Sequence, residues 1–227
     1  MTKRIESQLN KFINKGEAAK FTLGTLVLMG FCVLLIIIST FTQLSFTHPI
    51  IPMDLLSHWD KYFTAEGTNW HGFLKHYKYI PQIPVIFFIL SLLDRKFSML
   101  TIVLYIVLGL VGYPIFALGG GWKYIFQYGF YYIIGYIPAL FFAGSIIKGN
   151  YSFVNILKSV FVGVLVIHLI GCLGMVFIAT LKHESSTSIL GWILTMSGTK
   201  ILYDMLFSVI AVWLGQITKR ILWIVMS

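Results

Sequence analysis

The sequence predicts an all-α, polytopic membrane protein with six transmembrane helices and both termini in the cytoplasm. Its 227 residues are 58% hydrophobic and only 11% charged, whereas soluble proteins carry about 25% charged residues. Several apolar runs approach or exceed the roughly 20 residues that a helix needs to cross a bilayer. This composition argues against a soluble fold and leaves no room for a separate soluble catalytic domain.

Hydropathy predicts six membrane-spanning segments in one domain that covers residues 21–220. The second segment is short and contains Pro81 and Pro84 near its start, where proline suits the entrance of a helix. We therefore expect a multi-pass protein of the cytoplasmic membrane. The segments are 21–42, 80–93, 97–118, 125–147, 153–181 and 189–217.

The cations are divided unequally between the two sides of this predicted bundle. Of the seventeen Lys and Arg residues, eleven fall on the side of the N-terminus and five on the opposite side. Lys and Arg accumulate in cytoplasmic loops, so the termini are expected in the cytoplasm and the net charge of +9 does not indicate nucleic-acid binding. The eleven are Lys3, Arg4, Lys11, Lys15, Lys20, Arg95, Lys96, Lys148, Lys158, Lys219 and Arg220.

Two segments outside the predicted spans each have two interpretations. Residues 1–20 are either a short helix on the cytoplasmic leaflet, with Ile5, Leu9 and Phe12 on its apolar face, or a solvated tail. The long external loop at about 43–79 is rich in aromatic residues and holds four histidines. Such a loop is either a lid or binding loop or an amphipathic segment resting on the outer leaflet.

Three ionisable residues, His168, Lys200 and Asp204, fall well within the predicted spans, where such groups are costly and mark candidate sites. Lys200 and Asp204 are four residues apart and share a helical face. They are either an ion pair that fastens the sixth helix to the bundle or part of a polar pocket that faces a ligand. His168 is either a hydrogen-bonded packing residue or a ligand-binding group.

Catalysis and metal binding are not favoured by these residues. Membrane-embedded hydrolases and transferases usually need two carboxylates, a Ser–His or Ser–Lys pair, or an Asp-rich metal motif, and Asp204 is the only carboxylate at predicted membrane depth. No second His, Cys or carboxylate stands at ligand spacing beside His168. We therefore expect no enzyme activity, no metal and no cofactor.

The stretch "GYPIFALGGGWKY" at 112–124 interrupts the apolar pattern. Gly112 is expected to allow close helix approach, Pro114 to loosen the helix, and the glycines at 119–121 to free the backbone for a turn. With Lys123 behind it, this loop is either a simple turn or a set of amide donors and one cation for an anionic ligand. It matches no phosphate-binding fingerprint.

In their order along the chain, these elements resemble the BioY biotin transporters. The similarity rests on "YIPQIPVIFFILSLLDRKFSMLTIVLYIVLGLVGYPIFALGGG" and "YIFQYGFYYIIGYIPALFFAG". "HLIGCLGM" and "KILYDMLFSVIAVWLG" resemble the fifth and sixth helices of that family, so the resemblance covers about residues 79–220. The matching positions are Gln82, Tyr105, Gly109, Gly112, Pro114, Phe116, Ala117, Gly119, Gly120, Tyr132 and Gly135.

The resemblance implies the S component of an energy-coupling factor (ECF) transporter. Such a protein binds biotin from outside and works with a transmembrane T subunit and two cytoplasmic ATPase subunits. The chain has no Walker A motif, so ATP hydrolysis is expected from those partners. The alternatives are an S component for another vitamin, or a structural or assembly protein of the membrane.

Biotin carries a ureido ring with two N–H donors and one carbonyl, and an acidic tail, so its site needs an acceptor, a donor, an apolar wall and a cation. On this resemblance Asp204 is expected to accept from the ureido N–H groups, and Lys123 or Lys200 to meet the carboxylate. Aromatic residues are expected to form the wall. The predicted substrate-binding residues are Gln82, Tyr105, Phe116, Gly119, Gly120, Lys123, Tyr132, His168, Lys200, Tyr203 and Asp204.

Overall fold

Most of the chain is helical in the computed structural model, which describes residues 21–49, 63–64, 67–68, 74–148 and 150–226. The expected interfacial helix in residues 1–20 and much of the loop at 43–79 lie outside the described residues. The described residues form six α-helices: α1 Leu23–Phe41, α2 Gln82–Val111, α3 Phe130–Ile147, α4 Phe153–Leu181, α5 Ser186–Ile193 and α6 Lys200–Met226.

Among the described residues, four helical segments are long and apolar enough to cross a membrane. The bounds of α4 coincide with the span predicted at 153–181. Every stretch of α2 as long as these segments contains the three charged residues at 94–96, so α2 is not among them. The four are Leu23–Phe41, Phe130–Ile147, Phe153–Leu181 and Ser186–Leu222.

The helix α2 consists of two antiparallel arms, 82–93 and 95–111, because its backbone leaves the helical region at Asp94 (φ 65°, ψ 169°). The Gln82 amide Nε2 donates to the Tyr105 hydroxyl at 3.2 Å. In a continuous helix these residues would stand about 35 Å apart, so the second arm must fold back along the first. The predicted boundary between the second and third spans, at 93–97, falls at this point.

The turn of α2, the end of α3 and the last turns of α6 lie at the same end of the bundle, where the turn contacts both of the other helices. Lys219 Nζ lies 2.7 Å from Asp94 Oδ1, and Arg95 Nη1 donates to Ser145 Oγ at 2.6 Å. The cations of the turn and of the end of α6 are therefore neighbours in space.

Two predicted boundaries were wrong. The third span, predicted to end at 118, ends at Val111 because Gly112 adopts a φ of 129°, which side-chain-bearing residues rarely adopt. The fourth, predicted from 125, begins at Phe130 after a 3₁₀-helix at Trp122–Phe126. The sixth, predicted at 189–217, lies within the apolar helical segment Ser186–Leu222, which contains a π-helical turn at Leu194–Gly198.

The long loop contains strands that the sequence analysis did not predict. The strand β1 (Leu44–Pro49) pairs antiparallel with β4 (Leu74–Tyr79), and a second short pair joins β2 (Phe63–Thr64) to β3 (Gly67–Thr68). Leu44 stands opposite Tyr79 and Pro49 opposite Leu74. Short strands that mix polar and aromatic residues produce no hydropathy maximum, so a search for apolar spans overlooks them.

Close contact between α3 and α4 depends on glycine. A Cβ at Gly171 would come within 2.4 Å of the Tyr132 ring, and one at Gly135 would lie 3.2 Å from the backbone of Ile167. Any larger residue at Gly171 would displace the Tyr132 ring. The contact therefore fixes the position of a side chain that reaches the cavity described next.

Candidate ligand-binding cavity

A cavity of about 1150 Å³ lies at the end of the bundle where α2 begins. Its wall is formed by the ends of α1 and β4, the start of α2, one face of α3, and the segment from α5 to the start of α6. Ala117 and Tyr124 of the stretch after α2 also line it. Most of this lining is apolar. The polar side chains that matter for its chemistry are Thr40, Gln82, Tyr132, Tyr136, Thr199 and Lys200.

Gln82 joins three helical segments on one side of the cavity. Its Nε2 donates to Thr40 Oγ1 at 3.0 Å and to the Tyr105 hydroxyl at 3.2 Å. Its Oε1 accepts from the Tyr136 hydroxyl at 2.9 Å. The amide therefore holds α1, both arms of α2 and α3 in a fixed relation, and it is itself held by all of them.

Asp204 is the centre of a second polar cluster and is completely buried (0% exposed). Its Oδ1 accepts from the Tyr79 hydroxyl at 2.7 Å. Its Oδ2 lies 3.0 Å from His168 Nε2 and 2.6 Å from Lys200 Nζ. Asp204 does not line the cavity, whereas Lys200 does, with 21% of its side chain exposed.

A third set of contacts connects these residues to α3 through the π-helical turn. Ser197 Oγ lies 2.6 Å from the Tyr132 hydroxyl and 2.9 Å from His168 Nδ1. π-helical turns are often found at functional sites. A chain of hydrogen-bonded groups thus runs from Tyr132 at the cavity wall through Ser197 and His168 to Asp204.

The strand β4 closes the cavity above the start of α6. His76, Tyr77 and Lys78 line the cavity, and Tyr79 is 1% exposed. Burial is the largest cause that raises the pKa of the Tyr79 hydroxyl above its usual value, and the charge of Asp204 raises this pKa further. The hydroxyl therefore keeps its proton and remains a donor to the carboxylate.

The glycine-rich stretch forms a tight loop at the end of α2. The Phe116 ring occupies the place of a side chain at Gly109, whose Cβ would come within 2.1 Å of it. Gly120 passes close to Tyr113, since a Cβ there would stand 2.1 Å from the Tyr113 carbonyl oxygen. Gly119 and Gly121 have φ of 105° and 94°, so the expected turn is confirmed.

Two expectations for this stretch were wrong. We expected Gly112 to allow close helix approach, but no described atom lies within 4 Å of the position its Cβ would take. Its contribution is the positive φ that ends α2. We expected Pro114 to loosen the helix, but α2 has already ended three residues earlier, at Val111.

The predicted binding residues fall into three groups by position. Gln82, Tyr132 and Lys200 line the cavity. Tyr105, His168 and Asp204 stand behind that wall and hold it through hydrogen bonds. The others form the glycine loop or lie outside the cavity wall: Phe116, Gly119, Gly120, Lys123 and Tyr203.

Lys123 and Tyr203 contact aromatic rings outside the cavity wall. Lys123 Nζ stands 5.9 Å from the centre of the Trp122 ring. Tyr203 packs against Phe46 of β1 and Tyr77 of β4, with ring centres 4.8 and 5.3 Å away. Tyr203 thus contacts the strand pair, although it was expected in the wall of the binding site.

Four residues of these hydrogen-bonded groups were not among the predicted binding residues: Tyr136, Tyr79, Thr40 and Ser197. Tyr136 follows Tyr132 by four residues and therefore shares its helical face, so this signal was available. Tyr79 had no such signal, because its partner Asp204 is 125 positions away.

The apolar helices, with a cavity of about 1150 Å³ between them, define a helical membrane protein with an internal cavity. A model of the BioY family matches residues 78–223. That match covers more than half of the chain, and the chain belongs to the BioY family.

Among solved structures, the chain is similar to the S component for biotin from an ECF-type ABC transporter, whose crystal structure was determined at 2.1 Å. The TM-score is 0.59 at 17% identity, and the match covers 88% of this chain and 95% of that one. At this identity the similarity shows a shared fold. A search of curated proteins found no match.

Proposed function

We propose that this protein is the S component of an ECF transporter and that it binds biotin in the cavity of about 1150 Å³. Ligand sites are typically concave and mostly apolar, with a few fixed polar groups, and measure roughly 300–1,000 Å³. The cavity is concave and mostly apolar, carries a few fixed polar groups, and is slightly larger than this range, in a chain of the BioY family. This observation carries the proposal.

Lys200 is the proposed partner of the ligand carboxylate. Of the two lysines considered in the sequence analysis, Lys200 lines the cavity and Lys123 does not. Its ammonium group is paired with Asp204 at 2.6 Å, and an ammonium group has three donors. It can therefore keep that ion pair and donate to a second carboxylate at the same time.

The cavity is proposed to open to the extracytoplasmic side. The cations at the α2 turn and the end of α6 gather around Asp94 and Ser145, at the far end of the first arm of α2 from Gln82. Cytoplasmic loops are enriched in Lys and Arg, so this end is assigned to the cytoplasm. The cavity then faces outward.

Six membrane crossings are part of the same proposal. The helices α1, α3, α4 and α6 each cross once, and the two arms of α2 cross as a hairpin with its turn at Asp94. An even number of crossings keeps both termini on the cytoplasmic side. Arg95 and Lys96 lie at the turn, at the opposite end of the first arm from Gln82. Cations at that end support its place on the cytoplasmic side.

The loop that ends in β4 is proposed to act as a lid over the bound ligand. Three residues of β4 line the cavity and Tyr79 is bonded to buried Asp204. A segment resting on the outer leaflet would present its aromatic side chains to lipid, whereas Phe46 and Tyr77 pack on Tyr203 of α6. These contacts favour the lid interpretation.

Energy for transport is proposed to come from a T subunit and cytoplasmic ATPases. The chain carries no Walker A motif, so it has no phosphate-binding loop of that kind with which to use ATP. It would act as the substrate-binding component of the assembly.

The test is equilibrium binding of radiolabelled biotin to the detergent-purified full chain, with thiamine and riboflavin as competing ligands. We expect saturable biotin binding near nanomolar affinity, about 12 kcal/mol, and no displacement by the other vitamins. A folded sample that binds no biotin would overturn the proposal. Displacement by another vitamin would identify a different substrate.

Orientation is tested by single cysteines at Lys96 and Lys182 in a chain whose Cys32 and Cys172 are replaced by serine. A membrane-impermeant maleimide should label Lys182→Cys in intact cells, and Lys96→Cys only after permeabilisation. The opposite labelling pattern would invert the proposed topology.

A further inference from the structure

Three polar residues of the cavity wall have their protons engaged by groups behind the wall. Gln82, Tyr132 and Tyr136 all line the cavity. A hydroxyl has one proton and two lone pairs, and a primary amide has two N–H donors and one carbonyl oxygen. The direction of each hydrogen bond therefore decides what these groups can offer to a ligand.

The protons of the groups behind Gln82 are directed to backbone oxygens. Thr40 Oγ1 donates to the Ile36 carbonyl at 2.8 Å, and the Tyr105 hydroxyl donates to the Ile115 carbonyl at 3.3 Å. Each of these oxygens is therefore an acceptor towards Gln82. Both Nε2 protons of Gln82 are used on them, at 3.0 and 3.2 Å.

The reversed amide would satisfy fewer groups. It would bring Gln82 Oε1 within 3.0 Å of Thr40 Oγ1, whose proton is already used, so two acceptors would face each other. Buried polar groups are almost always paired, and amide orientation is assigned from such a network. The network therefore directs Oε1 of Gln82 towards Tyr136.

Tyr136 then has no free donor. Its hydroxyl proton is directed to Gln82 Oε1 at 2.9 Å, and the residue is 2% exposed. No other donor among the described residues reaches its oxygen. The lone pairs of Tyr136 and the second lone pair of Gln82 Oε1 remain available at the cavity.

The direction of the Tyr132 hydrogen bond is determined by Asp204. A carboxylate accepts only, so His168 must donate from Nε2, which lies 3.0 Å from Asp204 Oδ2. We assign a neutral imidazole, because Lys200 already balances the carboxylate and a second buried cation would be unpaired. Nδ1 of His168 then accepts from Ser197.

Ser197 has a single proton, which this contact uses at 2.9 Å. Its oxygen must therefore accept from the Tyr132 hydroxyl, 2.6 Å away. The Cys172 thiol, 3.4 Å from the Tyr132 oxygen and 3.2 Å from Ser197 Oγ, is only a weak donor or acceptor and leaves this direction unchanged. Tyr132 directs its proton away from the cavity, as Tyr136 does. All three groups face the cavity with lone pairs only.

We propose that Gln82, Tyr132 and Tyr136 form an acceptor wall that binds the N–H edge of a cyclic urea, while Lys200 supplies the cation for an acidic tail. This inference rests on the proposed function and names the groups that recognise the ureido ring. Asp204, which was expected to accept from that ring, is a positioning residue that sets the direction of the hydrogen bonds behind Tyr132.

The test compares biotin with two analogues in which one or the other ureido N–H is replaced by a ring oxygen. This exchange keeps the size of the ring and converts a donor into an acceptor. Binding to the detergent-purified full chain is measured by competition with radiolabelled biotin. Desthiobiotin, which keeps both N–H groups, is the control for changes elsewhere in the bicyclic ring.

We expect at least one carbamate analogue to bind at least about tenfold more weakly than biotin, since an acceptor would face unpaired acceptors. Tyr136→Phe should weaken biotin by about five- to tenfold and reduce the discrimination against the carbamate. Exposed Tyr113, which does not line the cavity, provides the matched control Tyr113→Phe.

The outcomes separate this inference from the proposed function. If biotin binds and both carbamates bind equally well or better, the acceptor wall is wrong and the S-component proposal stands. If a folded chain binds neither biotin nor desthiobiotin, both are overturned. Because the carbamate comparison uses the wild-type chain, it holds even where Tyr136→Phe does not fold.

Discussion

Replacing Asp204 by asparagine should destabilise the protein far more than the same exchange at Asp94, which is also ion-paired. Asp204 is fully buried, with contacts of 2.7 Å to Tyr79, 3.0 Å to His168 and 2.6 Å to Lys200. Asparagine keeps an acceptor for the tyrosine hydroxyl. It places an NH₂ group opposite two donors and removes the charge that balances the lysine.

The magnitude follows from the burial of the pair. Removing one partner of a buried ion pair costs about 3–5 kcal/mol, because the other charge is left uncompensated. Lys200 is 21% exposed at the cavity, so water relieves part of this cost and the lower end of the range is expected. The hydrogen bond that His168 loses adds to it, unless the imidazole shifts its proton to Nδ1.

The assay is denaturant-induced unfolding of the detergent-purified chain, followed by the fluorescence of its six tryptophans. Asp94→Asn is the matched control: Asp94 pairs with Lys219 at 2.7 Å but is 57% exposed. An exposed ion pair contributes at most about 1 kcal/mol, and asparagine keeps the size and shape of the aspartate side chain at that position. Equal losses in the free energy of unfolding from the two exchanges would refute the inference that Asp204 contributes more to stability than Asp94.

Three further predictions concern the ligand, the lid and the glycine loop. Lys200→Met should weaken biotin at least about tenfold, while leaving biotin amide nearly unaffected, in the same competition assay; equal losses for both ligands would contradict a contact with the carboxylate. Tyr79→Phe removes the bond that holds β4 to Asp204 and should speed biotin dissociation about tenfold, measured by chase with unlabelled biotin; an unchanged rate would argue against a lid. Gly109→Ala would bring a Cβ within 2.1 Å of the buried Phe116 ring and should cost about 1–3 kcal/mol in the unfolding assay; Phe116→Leu in the same chain should recover part of that loss, and no recovery would place the strain elsewhere.

The parts of the fold that depend on local sequence could be predicted. A sustained apolar run sets the bounds of α4, and the charged residues at 94–96 mark the break in α2. The contact between Lys200 and Asp204 was predicted from their spacing of four residues and is observed at 2.6 Å. Each of these signals lies within a few helical turns.

The remaining features depend on contacts between distant parts of the chain. Tyr79 and Asp204 are 125 positions apart, and Gln82 and Tyr136 are 54 apart. No periodicity relates such positions, so the bond between the strand and α6 could not be predicted from spacing. The end of α2 was predicted too late because hydropathy does not register the positive φ of Gly112, and the residues after it remain apolar.

On the proposed acceptor wall, Asp204 acts from behind the cavity wall, whereas the resemblance implied that it accepts directly from the ureido ring. A carboxylate can only accept, so a row of hydroxyl and imidazole groups that ends on it has one direction. The charge therefore decides that Tyr132 faces the ligand with lone pairs, although it makes no contact with the ligand itself. An asparagine at the same place can accept or donate, so the hydrogen bonds could run in either direction. In one of them Tyr132 would offer its proton to the ligand. A buried aspartate is costly in apolar surroundings. On this proposal its charge makes the site selective for N–H groups, because a neutral polar residue at that position would not fix the direction of the hydrogen bonds.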